Sequence, residues 1–493
     1  MSGLLLVLSF PKFGYPVLGW LALVPLLLVL AGQSTLRGFT LGLVSGLIYF
    51  AGTLYWVTNV MAIYGGVPTP GAVGINALLV LYQAVYLCLF GAIVARLTRL
   101  GGVRHLLATP LVWVSMEFAR THVLGGFPWV LLGYSQASVL PIAQFASVTG
   151  IFGLSYVVAA INAGVAFALV AQARRRRHAL VPLAVTLAAV VVLALWGSVR
   201  ISRGVLMAAG DPVRVGLIQG NVDQSDKADA RRARGVYASY LQMTRQAIFQ
   251  GAQFVVWPES AAPFVFEDDP LSLSLRKIAS EAKVSVLLGT DQVERGPSPR
   301  YYNGAVMIDA NGKTAGTYQK MHLVPFGEYV PARQLFFFMS RLVEGVSDFT
   351  AGTRQTLLPV GEHMVSTSIC YEVVYPDAVR QFSNSGAELL ATITNDAWFG
   401  RTSAPYQHFV QASMRAVENG RFLVRAANTG VSGIVDPYGR VVDATSIFEP
   451  AIVMGDVRFL RTQTIYSRIG DVVAVTAVGA SLVLLFTVRR RVQ

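Results

Sequence analysis

Four short strings in the second half of the chain carry side chains capable of covalent chemistry. Trp257-Pro258-Glu259-Ser260 closes one apolar run, and Ser368-Ile369-Cys370-Tyr371-Glu372 closes another. Between them lies Lys320-Met321-His322-Leu323-Val324-Pro325-Phe326-Gly327-Glu328-Tyr329, and after them Asn395-Asp396-Ala397-Trp398-Phe399-Gly400. A thiol acts as a nucleophile when a base takes its proton and a cation meets the charge that develops next. Glu259 has the character of that base, because a carboxylate partly shielded from water accepts a proton more readily. Lys320 offers a fixed positive charge to an oxyanion, a contribution of about 3 to 4 kcal/mol for a single donor. The three together describe an acyl-transfer site.

Each residue also has a plainer reading. A single cysteine after an apolar strand is usually core, Glu259 alone serves as a helix N-cap, and Lys320 alone is a solvated surface charge. His322 invites pairing with the thiol, yet a lone histidine is more often structural. Spacing does not choose between these readings. With only Cys88 and Cys370, no disulfide framework is available, and a metal site would have to rest on histidines and carboxylates. Neither a metal nor a cofactor is expected. Cys88 lies inside an apolar run and reads as a packed thiol.

The elements that must position the four strings are short β-branched runs. These fall at 213–219, 254–257, 284–289, 305–308, 364–370, 389–394, 422–426 and 431–435, alternating with amphipathic stretches at 229–250 and 405–419. The pattern predicts a layered α/β domain, where strand ends bring side chains into a shared cleft.

The rest of the chain has a different texture. Of 493 residues 54% are hydrophobic and 14% charged, with a mean hydropathy of +0.52, which excludes an ordinary water-soluble globule. Residues 205–468 contain 25 Lys and Arg against 25 Asp and Glu, so the whole formal charge of +13 lies beside the apolar segments. Cations flanking apolar runs read as topology signals, and no nucleic-acid partner is expected. Apolar spans are expected near 17–30, 39–60, 71–95, 106–119, 145–170, 180–199 and 472–488. Residues 1–10 are apolar too, but too short to span alone at about 1.5 Å per residue; no cleaved signal peptide is expected. The count is then about eight transmembrane helices including a short first one. Arg37, Arg96, Arg99, Arg104, Arg174 to Arg177 and Arg489 to Arg491 fall on alternate connections, which the positive-inside rule puts in the cytoplasm. The α/β segment falls on the other side. The expected organisation is a transmembrane region 1–200, an extracytoplasmic catalytic domain 205–468 and a C-terminal transmembrane helix 470–488.

Two membrane-side features stand out. Glu117 and Arg120 are three apart on one helix and read as a local ion pair fixing the loop that carries Trp129, in preference to a headgroup site. Intramembrane charge is otherwise sparse, so an ion-coupled transporter has no evident relay. The run Phe336-Phe337-Phe338-Met339 is either a buried lid helix or an apolar patch facing lipid.

Glu259, Lys320 and Cys370, with the neighbours WPES, LVPFGEY, ICYE and NDAWFG, resemble the Glu-Lys-Cys triad of the nitrilase (carbon-nitrogen hydrolase) superfamily. Joined to a multi-span N-terminal region and one C-terminal span, the chain resembles its membrane branch, the apolipoprotein N-acyltransferase family, over essentially its whole length. The string Gly125-Gly126-Phe127-Pro128-Trp129 and then Gly133-Tyr134-Ser135-Gln136 is similar to a loop of that family. The resemblance implies an αββα sandwich with Cys370 as nucleophile, Glu259 as general base and Lys320 as oxyanion stabiliser. It implies that Glu328 orients Lys320, that Tyr371 and Glu372 shape the pocket, and that the Tyr371 N–H is a second oxyanion donor. Trp129 would contact substrate, and Phe336, Phe337 and Phe338 with residues 261–266 would form a mobile rim. One departure is that Lys227 is followed by Ala228, where the family has tryptophan.

The implied reaction moves an acyl chain from the sn-1 position of a phospholipid, with phosphatidylethanolamine the expected donor, through a Cys370 thioester to the α-amino group of a diacylglyceryl-cysteine on apolipoproteins. The expected setting is the bacterial inner membrane with the catalytic domain on the periplasmic side. Two other readings are a membrane-anchored amidase acting on a small amide, and a non-enzymatic lipoprotein-binding scaffold or transporter.

Overall fold

The computed structural model describes residues 1–173, 178–223, 230–325, 327–329 and 349–490. Lys227, Ala228, Phe336, Phe337 and Phe338 lie outside the described residues.

Among the described residues, four helices are long and apolar enough to cross a membrane: Thr35–Leu54, Thr69–Gly101, Ala146–Ala173 and Val181–Ala208. Val472–Val488 is a shorter apolar helix. The run at 17–30 is broken into Pro16–Gly19 and Val24–Leu30, each opened by a proline near its start; proline lacks the N–H that would continue the preceding turn. The run at 106–119 becomes a 3-10 turn, Val103–Ala108, leading into helix Thr109–His122. The first apolar stretch forms helix Ser2–Leu8, which stops before Pro11.

The two longest-paired membrane helices touch through small residues. A Cβ added to Gly42 would sit 2.1 Å from the Leu87 carbonyl oxygen, and one on Gly38 would sit 2.4 Å from that of Gly91. Bare backbone on these faces lets the helices approach where lipid offers no hydrophobic drive of its own.

The α/β part contains two six-stranded sheets among the described residues. The first runs β12-β1-β2-β3-β4-β5 with β1 Asp211–Gln219, β2 Phe254–Val256, β3 Ser285–Glu294, β4 Arg300–Ile308, β5 Thr314–Gln319 and β12 Ala451–Phe459. The second runs β11-β10-β9-β8-β7-β6 with β6 Leu358–Val360, β7 His363–Ile369, β8 Leu389–Thr394, β9 Leu423–Ala427, β10 Gly433–Val435 and β11 Val441–Ala444. In each, three parallel strands (β1, β2, β3 and β7, β8, β9) form the centre, and antiparallel neighbours pair with it on both sides. The eight expected strands are all present; the four that went unread, β5, β6, β11 and β12, are the edge strands of the two sheets, and β5, β6 and β11 carry no sustained apolar run.

Leu217, Val256 and Met307 of the first sheet pack against Val365, Leu389 and Val424 of the second, so the sheets lie face to face. Tyr240 of helix Ala230–Phe249 and Leu275 of helix Ser272–Ala282 cover the outer face of the first sheet. On the outer face of the second, Val379 and Ala416 of helices Pro376–Asn384 and Ala404–Asn419 share one apolar cluster with the membrane helices. The sandwich is thus αββα, and its second helical layer is also the floor on which the membrane part rests. Glu418 at the end of that layer accepts from the Ile151 N–H at 2.9 Å, just after helix Ala146–Ala173 kinks at Gly150.

Gly42→Leu should therefore part the helix pair at overpacking cost of about 1–3 kcal/mol. A fall of several degrees in the unfolding midpoint of detergent-purified protein, with Gly74→Leu as a control because nothing lies within 4 Å of a Cβ there, is the expected result.

Candidate active site

The ends of β2 and β7 face each other across the sheet interface. Glu259 comes three residues after β2 and Cys370 directly after β7. Both turns are strained: Ser260 has φ +48 and Cys370 φ +51, left-handed values that side chains other than glycine rarely adopt. Lys320 follows β5, and its N–H donates to the Asn303 carbonyl at 2.8 Å. Three strands from two sheets thus bring one carboxylate, one amine and one thiol into a single buried cluster.

Lys320 is 1% exposed, Glu259 6% and Glu328 8%. Lys320 Nζ lies 2.9 Å from Glu328 Oε1 and 3.3 Å from Glu259 Oε1. Asn303 Nδ2 donates to both carboxylates at 2.7 Å, and the Asn395 N–H donates to Glu259 Oε2 at 2.8 Å. Burial disfavours the ammonium, but the Glu259 and Glu328 carboxylates outweigh it and hold Lys320 above its ordinary range. Burial pushes the Cys370 thiol up, the Glu259 charge adds to this, and Lys320 only partly offsets them. The resting sulfur is therefore a protonated thiol beside a carboxylate.

Glu372 is fully engaged with the protein. Its Oε2 accepts from the Ile369 N–H at 2.8 Å, while Oε1 accepts from the Tyr318 hydroxyl at 2.8 Å and the Met321 N–H at 2.7 Å. It clasps the strand before Cys370 to the segment after Lys320. The His322 ring instead stacks on Tyr375 at 4.7 Å, where burial lowers its pKa.

Tyr371 turns toward the membrane part. Its ring stacks on Trp129 at 6.5 Å, and its hydroxyl reaches the Gly126 carbonyl at 3.4 Å. Gly126 has φ +74, and a Cβ there would lie 1.8 Å from the Thr121 carbonyl oxygen, so only glycine fits this turn. Glu117 and Arg120 hold the same loop by its backbone: Arg120 donates to the Trp129 carbonyl at 2.7 Å and Glu117 accepts from the Leu132 N–H at 2.6 Å. The Trp129 indole N–H donates to Gln407 at 2.7 Å, which locks the loop to the catalytic layer.

The structure thus brings together Glu259, Lys320, Glu328, Cys370, Tyr371, Glu372 and Trp129. Asn303 was missed in the sequence, since a lone polar residue inside a β4 apolar run carries no motif. Asn395 and Asp396 lay in a string already singled out, but only the fold gives them partners.

The apolipoprotein N-acyltransferase N-terminal domain family matches residues 2–164, and the carbon-nitrogen hydrolase family matches residues 214–466. An apolipoprotein N-acyltransferase of Geobacter metallireducens is 40% identical, covering 100% of this chain and 95% of the relative. The chain belongs to the apolipoprotein N-acyltransferase family. Its relative in Methylococcus capsulatus is 36% identical over 99% of this chain and 95% of that one. Among solved structures, an amidase from Nesterenkonia is similar at 23% identity over 51% of this chain and 93% of that chain, with a TM-score of 0.39. Every residue of the Glu259–Lys320–Glu328–Cys370 cluster falls inside the carbon-nitrogen hydrolase match, whereas Trp129 falls inside the N-acyltransferase N-terminal match.

Removing the buried ammonium leaves two carboxylates without a counter-charge, so Lys320→Met should cost about 3–5 kcal/mol. Burial then favours their protonated forms, the folded variant binds more protons than the unfolded chain, and its stability falls as pH rises. In the native protein the Lys320 pKa is raised, so its contribution is complete below the unfolded value of about 10.4 and is lost only at more alkaline pH. Thermal unfolding from pH 5.5 to 8 should show a falling midpoint for the variant and no matching fall for the parent.

Proposed function

We propose that this protein is a membrane-embedded N-acyltransferase. It moves a fatty acyl chain from the sn-1 ester of a phospholipid, phosphatidylethanolamine in the first instance, to the α-amino group of an N-terminal diacylglyceryl-cysteine on apolipoproteins. The observation that carries the reading is the packing of Tyr371, next to the thiol, on Trp129 of the membrane loop. A thiol–carboxylate–amine site is thereby built against the part of the chain that meets lipid, which a soluble amide substrate does not require.

In the first half-reaction Glu259 takes the thiol proton as sulfur attacks the ester carbonyl. Negative charge on the carbonyl oxygen is met by the Lys320 ammonium and the Tyr371 N–H. Collapse breaks the ester C–O bond, Glu259 returns the proton to the departing alkoxide, and a lysophospholipid leaves. In the second half-reaction the amine attacks the thioester, the same carboxylate takes its proton, and as the C–S bond breaks Glu259 hands that proton to the departing sulfur, restoring the thiol and the free carboxylate. Glu328 keeps Lys320 aimed through the 2.9 Å contact. A thiol that is protonated at rest limits side reactions until an acyl group is bound.

Ester to thioester exchange is nearly isoenergetic and thioester to amide is downhill, so no nucleotide is needed. Both substrates are anchored by acyl chains, and drawing these into water costs about 0.8 kcal/mol per CH₂. The reaction therefore belongs at the bilayer surface. An amine with a pKa of about 7.7–8.0 has a sizeable free fraction near neutrality and attacks a thioester faster than water does. We place the chain in the inner membrane with about eight spans, residues 1–200 and 470–488 in the bilayer and residues 205–468 on the periplasmic face. The charge asymmetry of the connections supports this orientation.

Purified protein incubated with labelled phospholipid and a diacylglyceryl peptide should carry an acyl group on Cys370 before the amide appears, as read by mass spectrometry. Cys370→Ala should show neither product, and Glu259→Gln should slow acylation by about 10²–10⁴-fold. Persistent transfer by Cys370→Ala, or hydrolysis of the thioester without amide formation, would count against the assignment.

A further inference from the structure

Beneath Cys370 lie three ionisable groups that the reaction above does not use. His408, Asp396 and Arg425 are all fully buried. His408 Nε2 lies 3.1 Å from the Cys370 carbonyl oxygen, and since a carbonyl only accepts, that nitrogen carries the hydrogen. Burial, with Arg425 beside it, holds the imidazole below its ordinary range. The ring is then neutral near pH 7, and its Nδ1 accepts from Arg425 Nη2 at 3.0 Å. The same guanidinium nitrogen donates to Asp396 Oδ2 at 2.9 Å, and the Thr394 hydroxyl donates to Asp396 Oδ1 at 2.8 Å. Burial opposes the Asp396 charge, but the Arg425 guanidinium outweighs it and holds the carboxyl below the usual carboxylate range. Asp396 Oδ1 is also 3.1 Å from His408 Nδ1, a contact relieved by the guanidinium that bonds to both residues. One anion, one cation and a neutral ring make a rigid support with no net charge.

The support acts on a strained point. A non-glycine residue at φ +51 is strained and persists only where its surroundings over-determine it. Glu372 holds the Ile369 N–H before Cys370, and His408 holds the Cys370 carbonyl after it. The Cys370–Tyr371 peptide is planar and trans, so its C=O and N–H point in opposite directions. Anchoring the carbonyl on the His408 side aims the Tyr371 N–H away from that side. We infer that His408, fixed by Asp396 and Arg425, is the positioning residue for the oxyanion hole: by gripping the Cys370 carbonyl it orients the Tyr371 N–H toward the developing charge. The inference rests on the acyl-transfer reading of the site. It also gives the membrane loop a mechanical link to the reaction, since the Trp129 ring packs on His408 at 5.6 Å and bonds to the adjacent Gln407.

The test compares two reactions of Cys370 in the full-length enzyme. Acylation by labelled phospholipid passes through an oxyanion, whereas alkylation by iodoacetamide does not. His408→Met removes the donor, and His408→Gln keeps an N–H at similar reach. His408→Met should slow single-turnover acylation at least tenfold, toward the roughly 100-fold loss seen when an oxyanion donor is removed, with alkylation changed by less than about threefold and KM little altered. His408→Gln should recover most of the rate, and His408→Leu should repeat the Met result. Acylation at parental speed in both donor-less variants, or acylation and alkylation falling together, overturns the inference while leaving the acyl-transfer reading intact. Absence of any acyl group on parental Cys370 overturns that reading first, and this inference with it.

Discussion

A single ammonium group, Lys320 Nζ, sits out of water with two carboxylates within 3.3 Å. A charge buried in this way persists only when paired and hydrogen-bonded, and much of the surrounding structure serves that requirement. Asn303 bridges the two carboxylates, the Asn395 N–H ties one of them to the second sheet, and the Val324 N–H satisfies the other at 2.8 Å. The ion cluster is therefore also a clamp between the sheets. The same electrostatics leave the neighbouring sulfur protonated until substrate arrives, because burial and Glu259 together exceed the pull of Lys320.

The sandwich explains why residues so far apart in sequence can share this cluster. The central strands of each sheet are parallel, so their C-terminal ends lie along one edge, and β2 and β7 deliver Glu259 and Cys370 from opposite layers. Left-handed turns after both strands lift the side chains out of the pleat. Helix Ala404–Asn419 then works in two directions, supporting the Cys370 backbone through His408 and holding the Trp129 loop through Gln407. The membrane part and the α/β part are consequently one packed object at the site, not two domains joined by a tether.

The membrane loop shows how expensive polar groups are used when they occur near apolar helices. Glu117 and Arg120, three residues apart, read in the sequence as an ion pair fixing the loop that carries Trp129, and they do hold that loop. They hold it by its backbone, where each satisfies groups that a tight, buried turn would leave without partners. Two ionisable side chains thus stand in for the regular hydrogen bonding that secondary structure would have provided.

The linear chain was sufficient for the elements with strong local signatures. The apolar runs and the β-branched runs follow from periodicity, and the strings around Glu259, Lys320 and Cys370 are specific enough to name the chemistry. Edge strands such as β5 and β11 were not legible, because pairing rather than composition makes them strands. Nor was the division inside the 17–30 run, which hydropathy counts as one span and the structure splits into Pro16–Gly19 and Val24–Leu30. Among the site residues, Asn303, His408 and Arg425 have no motif of their own; each acquires its role from a partner more than ten residues away. Residue type and order fixed which atoms could react. Their distances, their burial and the direction of the Cys370 backbone came only with the two sheets closing on each other and on the membrane loop, since hydrogen-bond geometry and desolvation are properties of neighbours in space.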